Sequence, residues 1–364
     1  MAWPGGNPFV GNLYEKEFAT LSKQGDGLNE KGRLLANALL SETGYFTLER
    51  IRNNANAAAD NKPSSPPMLE KEEPITHDPI MAPPKDYQPA SAAPITDDQQ
   101  QKLDQLRTYM GSILLPSTHE YYESEKRFLT EGTLKRYMRA RKWDYEAAKT
   151  MLENTVKWRR DYRPDELDPD YIKPEAETGK MYFNGFDKCG RPVWIMRPRL
   201  QNSKDAERQI KNIVFSLERG IRLMPDKVEN IAIIVDFKDS SASHNPSLNT
   251  CKKFLDILGN HYPERLGIAF VVKSPWFFFV TFKMIAPFMD PITRAKIKFV
   301  YDTADGKQEN TKATTNEWVH LHDFISSDQL ETDFGGNYPY KYDLETYWKQ
   351  LLDYTGNPYK VIDY

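Results

Sequence analysis

From Thr96 onward the apolar positions of this chain recur at helical spacing. Leu103, Leu106 and Met110 follow Thr96; Leu134, Tyr137 and Met138 follow Thr130; Ala148, Met151, Leu152, Thr155 and Trp158 follow Asp144. Each stripe is opened by a side chain whose oxygen can accept from the amides of a first helical turn. Three amphipathic helices are predicted, the last ending before Pro164, and they make a small helical lobe over 96–165. The period then changes. Residues 180–184 and 192–196 read as strands joined through Asp187-Lys188-Cys189-Gly190, a turn-prone stretch. Ser203 opens a helix with Ile210, Ile213, Val214, Leu217, Ile221 and Met224 on one face, and Pro225 stops it. Residues 231–235 are an unbroken apolar run rich in β-branched side chains, the pattern of a strand buried on both faces. Asn245-Pro246 starts another helix, striped by Leu248, Cys251, Leu255, Leu258 and Tyr262, and 268–272 is a second buried strand. Strand, helix, strand at this spacing is a right-handed parallel crossover. The fold class is therefore α/β, a mixed or parallel sheet with helices, preceded by the helical lobe.

Ahead of Thr96 the pattern fades. Leu35, Leu39, Leu40, Phe46, Leu48 and Ile51 keep some helical periodicity but hold too little apolar surface for a domain, so 1–62 reads as a poorly defined extension. Nine of the 25 prolines fall in 63–95, which is expected to be an extended, unpacked linker. The remaining boundaries are placed at 166–355 for the sheet domain and 356–364 for a tail. With 364 residues and 39% hydrophobic content the chain can bury a sizeable core. A formal charge of −3 argues against nucleic acid as a partner, so any anionic ligand must be met by a local basic patch. Cys189 and Cys251 are too few for a disulfide framework or a four-cysteine zinc site. No basic region followed by an apolar run opens the chain, and no apolar stretch reaches the roughly 20 residues of a bilayer span. A cytoplasmic location is expected.

Three segments carry candidate chemistry. Trp276, Phe277, Phe278, Phe279, Phe282, Met284 and Phe288 belong to a stretch that is apolar nearly all round if helical. Two readings fit it: a buried core helix, or a movable lid over a hydrophobic cavity that can also meet a membrane. In Asp290-Pro291-Ile292-Thr293-Arg294-Ala295-Lys296, a helix start, Thr293 and Lys296 share a face, and a hydroxyl with an ammonium suits a phosphate oxygen. The alternative is a solvated basic face. In His261-Tyr262-Pro263-Glu264-Arg265, Glu264 is either half of a surface ion pair or an acceptor for the hydroxyls of a polyol. His320 and His322 lack further ligands nearby, and no nucleophile elbow, Walker loop or dinucleotide fingerprint occurs, so neither a metal nor an enzymatic activity is expected.

Taken in order, Arg139-Ala140-Arg141-Lys142-Trp143-Asp144, Tyr262-Pro263-Glu264-Arg265, the aromatic stretch, Asp290-Pro291-x-Thr293-x-x-Lys296 and Phe334-Gly335-Gly336 resemble the CRAL-TRIO lipid-binding family. Within it they are most similar to fungal phosphatidylinositol transfer proteins of the pleiotropic-drug-resistance branch, over about 96–355. The resemblance implies a sheet and helices enclosing an apolar cavity closed by a gate helix. It implies phosphatidylinositol as the bound ligand, no cofactor and no catalysis. The headgroup residues it implies are Arg141, Lys142, Asp187, Glu264, Thr293 and Lys296, and the gate is the aromatic stretch. Phosphatidylcholine-binding members surround the choline phosphate with hydroxyls, at positions that fall here on Phe183, Trp194, Ile231 and Ile233. A buried phosphate without donors is strongly unfavourable, so a second, more apolar ligand such as a sterol is expected. The alternative for Ile231 and Ile233 is ordinary strand core. Membrane surfaces and lipid-metabolising enzymes are the further partners implied, at endomembranes such as the endoplasmic reticulum, lipid droplets or endosomes. A sterol-only carrier or sensor, a hydrolase-like enzyme and a recruiting scaffold are the rival readings.

Overall fold

The computed structural model describes residues 74–90, 93–241, 248–274, 291–301 and 318–356. The predicted extension 1–62 and the aromatic stretch lie outside them.

The helical lobe forms where its caps stand. Helix α1 (Asp97–Ile113) opens with a reciprocal capping box between Thr96 and Gln99, and buries Leu103, Leu106 and Met110. A short helix, α2 (Tyr122–Phe128), follows; no apolar stripe announced it. Thr130 caps α3 (Glu131–Ala140) and Asp144 caps α4 (Tyr145–Tyr162), each accepting from the amide three residues on. Their stripes meet in one apolar core: Leu103, Leu106, Met110, Leu134, Tyr137, Met138, Ala148, Met151, Leu152 and Val156.

A sheet domain follows helix α5 (Pro169–Ala176). Strands β1 (Met181–Phe186) and β2 (Pro192–Met196) pair antiparallel through the predicted turn, in which Gly190 takes a φ of 79°. Helix α6 (Ala206–Leu223) leads to β3 (Ile231–Asp236), and α7 (Leu248–His261) to β4 (Leu266–Val272). A short helix α8 (Pro291–Ala295) runs into β5 (Ile297–Val300); β6 (Trp318–Val319) and helix α9 (Leu344–Thr355) complete the described chain. The six strands lie in sequence order, antiparallel at the first pair and parallel thereafter. Right-handed crossovers between successive neighbours put α6 and α7 on the same face. A Cβ on Gly220 of α6 would come within 2.4 Å of the Phe183 ring and 3.0 Å of Ile231, so glycine is what lets this helix lie on the sheet.

The described part of the proline-rich segment is not unpacked. The Thr76 amide donates to Pro339 at 3.0 Å, and its carbonyl accepts from Lys341 at 2.9 Å. Farther along, the Gly185 amide on the edge strand β1 donates to Ile80 at 3.0 Å, Met81 is buried, and Tyr87 covers Gly190 so closely that a Cβ there would lie 2.5 Å from its ring. The strap thus pairs backbone groups with residues 339–341 and, at Ile80, with the free edge of β1.

Candidate functional site

The topology gathers the predicted headgroup residues at one end of the sheet. Strands β2 to β5 are parallel, so their N-terminal ends share an edge, and antiparallel β1 brings its C-terminal end there. Asp187 follows β1, Glu264 lies just before β4, and Thr293 and Lys296 lie just before β5. Helix α3 reaches the same edge: Arg139 pairs with Glu229 ahead of β3, and Arg136 donates to the Pro263 carbonyl at 3.4 Å. Arg141 and Lys142 follow directly.

Hydrogen bonding separates these residues. The Asp187 carboxylate is buried and accepts from the amides of Cys189 and Arg191, both at 2.9 Å, with the Arg191 guanidinium 3.5 Å away. Burial raises its pKa against those bonds. The Asp187 carboxylate thus holds the β1–β2 turn. By contrast, the side chains of Arg141, Lys142, Glu264 and Lys296 make no hydrogen bond or ion pair among the described residues. Arg141 and Lys142 are exposed; Glu264 and Lys296 are half-buried. Thr293 is exposed on α8, and its carbonyl accepts from the Lys296 amide at 3.2 Å. Glu264 takes a φ of 60°, a left-handed conformation unusual for a residue with a Cβ.

The apolar residues divide as well. Phe183, Trp194, Ile233, Ala269 and Ile297 stand in register across five strands and so share one face of the sheet. Phe183 stacks on Trp194 at 5.5 Å, and both are buried with Ile231 beneath α6. Farther along the row, Ile233, Ala269 and Ile297 are half-exposed, as is Val235 on the same face of β3. Residues 232 and 234, on the opposite face of β3, are fully buried. So 231–235 is not buried throughout as its composition suggested: Ile233 and Val235, on one face of the strand, are half-buried. The gate residues Trp276, Phe277, Phe278, Phe279, Phe282, Met284 and Phe288 lie outside the described residues.

Two polar networks escaped the sequence. Arg159 of α4 forks onto Glu218 of α6 at 2.8 and 3.3 Å, and Tyr262 donates to the same carboxylate at 2.7 Å. Buried Glu331 accepts from Tyr182 at 3.0 Å, from Asn184 at 2.8 Å and from Arg197 at 2.8 Å, and burial pushes its pKa up to about 7. Neither network has a local motif, because each joins residues far apart in the chain. Gly335, with a φ of 85°, and Gly336, where a Cβ would meet the Leu330 carbonyl oxygen at 1.8 Å, serve a turn. Among the described residues no three His, Cys, Asp or Glu side chains cluster as metal ligands, and no helix is long and apolar enough to cross a membrane.

Comparison with known proteins places this architecture. Residues 176–336 match the CRAL/TRIO domain, and residues 102–154 match the CRAL/TRIO N-terminal domain. A CRAL-TRIO domain-containing protein of Schizosaccharomyces pombe is 42% identical over 231 residues, 64% of this chain and 21% of that protein. The phosphatidylinositol transfer protein PDR17 of Saccharomyces cerevisiae is 32% identical, over 63% of each chain. This chain thus spans only part of the length of those two relatives. The SEC14 cytosolic factor of Kluyveromyces lactis is 30% identical over 222 residues, 56% of this chain and 70% of that protein. With both domain matches in order along a helical lobe and a six-stranded mixed sheet, this chain belongs to the CRAL-TRIO family.

Proposed function

We propose that this protein binds phosphatidylinositol and moves it between membranes, with the acyl chains against the accessible face of the sheet and the headgroup at the edge where Arg141, Lys142, Glu264, Thr293 and Lys296 gather. One observation carries the reading: on central strand β3, Ile233 and Val235 stay half-exposed while residues 232 and 234 are fully buried. Apolar area left open in the middle of a sheet is unfavourable, at about 25 cal/mol per Å², and a lipid tail would cover it. The headgroup edge supports the same reading chemically. Unspent cations suit a phosphate, and an unspent carboxylate suits inositol hydroxyls. The name of one relative, the phosphatidylinositol transfer protein PDR17, points the same way. Binding needs no covalent step: the cavity replaces the bilayer as apolar solvent. The hydroxyls that would meet a choline phosphate are absent at Phe183, Trp194, Ile231 and Ile233, so the second ligand is an apolar lipid such as a sterol rather than phosphatidylcholine. The protein acts at membrane surfaces as a peripheral carrier and supplies lipid-metabolising enzymes.

Vesicle-to-vesicle transfer of phosphatidylinositol, phosphatidylcholine and sterol tests this. Wild type is expected to move the inositol lipid and not the choline lipid, and Lys296→Ala is expected to lose about tenfold in inositol-lipid transfer, the order of one charge-assisted bond to phosphate. Equal transfer by Lys296→Ala would remove the headgroup assignment. Transfer of sterol alone would make this a sterol carrier.

A further inference from the structure

The loop that carries Glu264 is held from both the helical lobe and the sheet domain. Its neighbours are pinned one after another, several of them by α3 and α4. Thr155 donates to the Asn260 carbonyl at 3.0 Å, and Tyr137 donates to the His261 carbonyl at 3.0 Å. Trp158 stacks on the His261 ring at 4.2 Å with only 5° between planes. Tyr262 donates to Glu218, which Arg159 holds, and Arg136 donates to the Pro263 carbonyl. Beyond Glu264, Arg265 donates to the Glu229 carbonyl at 2.8 Å, while Arg139 holds the Glu229 side chain. Among the described residues, Glu264 itself is held only through its backbone, by Asn230 on its carbonyl at 3.2 Å. A left-handed φ of 60° at a residue with a Cβ persists only where the surroundings over-determine it. Here the surroundings are these bonds, and the residue they leave free to act is the glutamate.

We propose that Tyr262 and Arg136 are positioning residues for Glu264: through them α6 and the lobe hold the 261–265 loop in the conformation that presents the Glu264 carboxylate to a polyol headgroup. The proposal rests on the reading of Glu264 as a headgroup residue. It gives the lobe a role in ligand selection as well as in stability.

The test is a double-mutant cycle on the full chain, with Tyr262→Phe, Glu264→Gln and the pair. The quantity measured is the affinity for phosphatidylinositol, taken as a ratio to diacylglycerol bearing the same acyl chains. Glu264→Gln is expected to lower that ratio about tenfold and Tyr262→Phe about fivefold, with the pair no worse than Glu264→Gln alone. Additive losses would mean that Tyr262 acts independently of Glu264 and would overturn the proposal. So would an unchanged ratio in Tyr262→Phe. An unchanged ratio in Glu264→Gln would instead remove the headgroup reading on which the proposal stands. Arg136→Lys, which keeps the charge but not the fork that reaches Pro263, is the second entry to the cycle should Tyr262→Phe fail to fold, and the same non-additivity is expected of it.

Discussion

Side chains with the same charge do different work in this protein, and burial decides which. Glu331 and His261 illustrate the two directions. Burial, with Asp333 nearby, raises the Glu331 carboxyl to about 7 although Arg197, Asn184 and Tyr182 all donate to it. Burial, with Arg159 close by, pushes His261 down to about 4, so it stays neutral against Trp158. The signs differ. The folded state holds the Glu331 proton more tightly than the unfolded chain does. Its contribution is thus present below the ordinary value of 4.5 and is lost as the pH rises through about 7. His261 contributes above its ordinary 6.5, and that contribution is lost as the pH falls towards 4. The stability of wild type relative to Glu331→Gln is therefore expected to fall as the pH rises from about 4.5 to about 7, as measured by denaturant titration at a series of pH values. A flat difference would show that the carboxylate ionises normally in the fold.

At the scale of elements, the strap over 74–90 behaves as part of the sheet domain. It lies on the free edge of β1 and buries Met81 in the main core. The Asn184 side chain links it to the interior, accepting from the Ile80 amide at 2.8 Å while donating to Glu331. Met81→Ala is expected to cost about 2–5 kcal/mol, the ordinary range for emptying a buried methionine site. Urea unfolding of the full chain checks this, and a loss below about 0.5 kcal/mol would mean that the strap is not docked in solution.

Among the described residues, the two larger apolar cores are joined by charge. One core belongs to the lobe and the other to the sheet domain, and between them lies the buried set of Arg159, Glu218, Tyr262, Asp165 and Tyr121. Removing one member of a buried ion pair leaves the other uncompensated, so Arg159→Met is expected to cost about 3–5 kcal/mol. The same change is expected to split one cooperative thermal transition into two, because the lobe would lose its strongest tie to α6. Calorimetry distinguishes that from a single transition at lower temperature.

Most of the elements were legible along the chain because they follow from local chemistry. Thr96, Thr130 and Asp144 cap the helices they precede, the apolar stripes predict the faces that are buried, and the crossover spacing predicts parallel strands. Such signals act within a few residues and survive in one dimension. The two-residue strand β6 and the short helix α2 carried too little periodicity to be seen. The motif residues of the candidate site were also nameable, but their division was not. Asp187 and Glu264 are both acidic residues beside strand ends, and only the fold shows one buried under two amide bonds and the other left unspent. Likewise the apolar run at 231–235 could not reveal that α6 covers Ile231 and leaves Ile233 accessible. Sequence alone determined which residues are apolar, which carry charge and how their periods run. Tertiary structure decided which charges are neutralised by partners and which apolar faces remain open, because partners distant in the chain meet only when the strands and helices are packed.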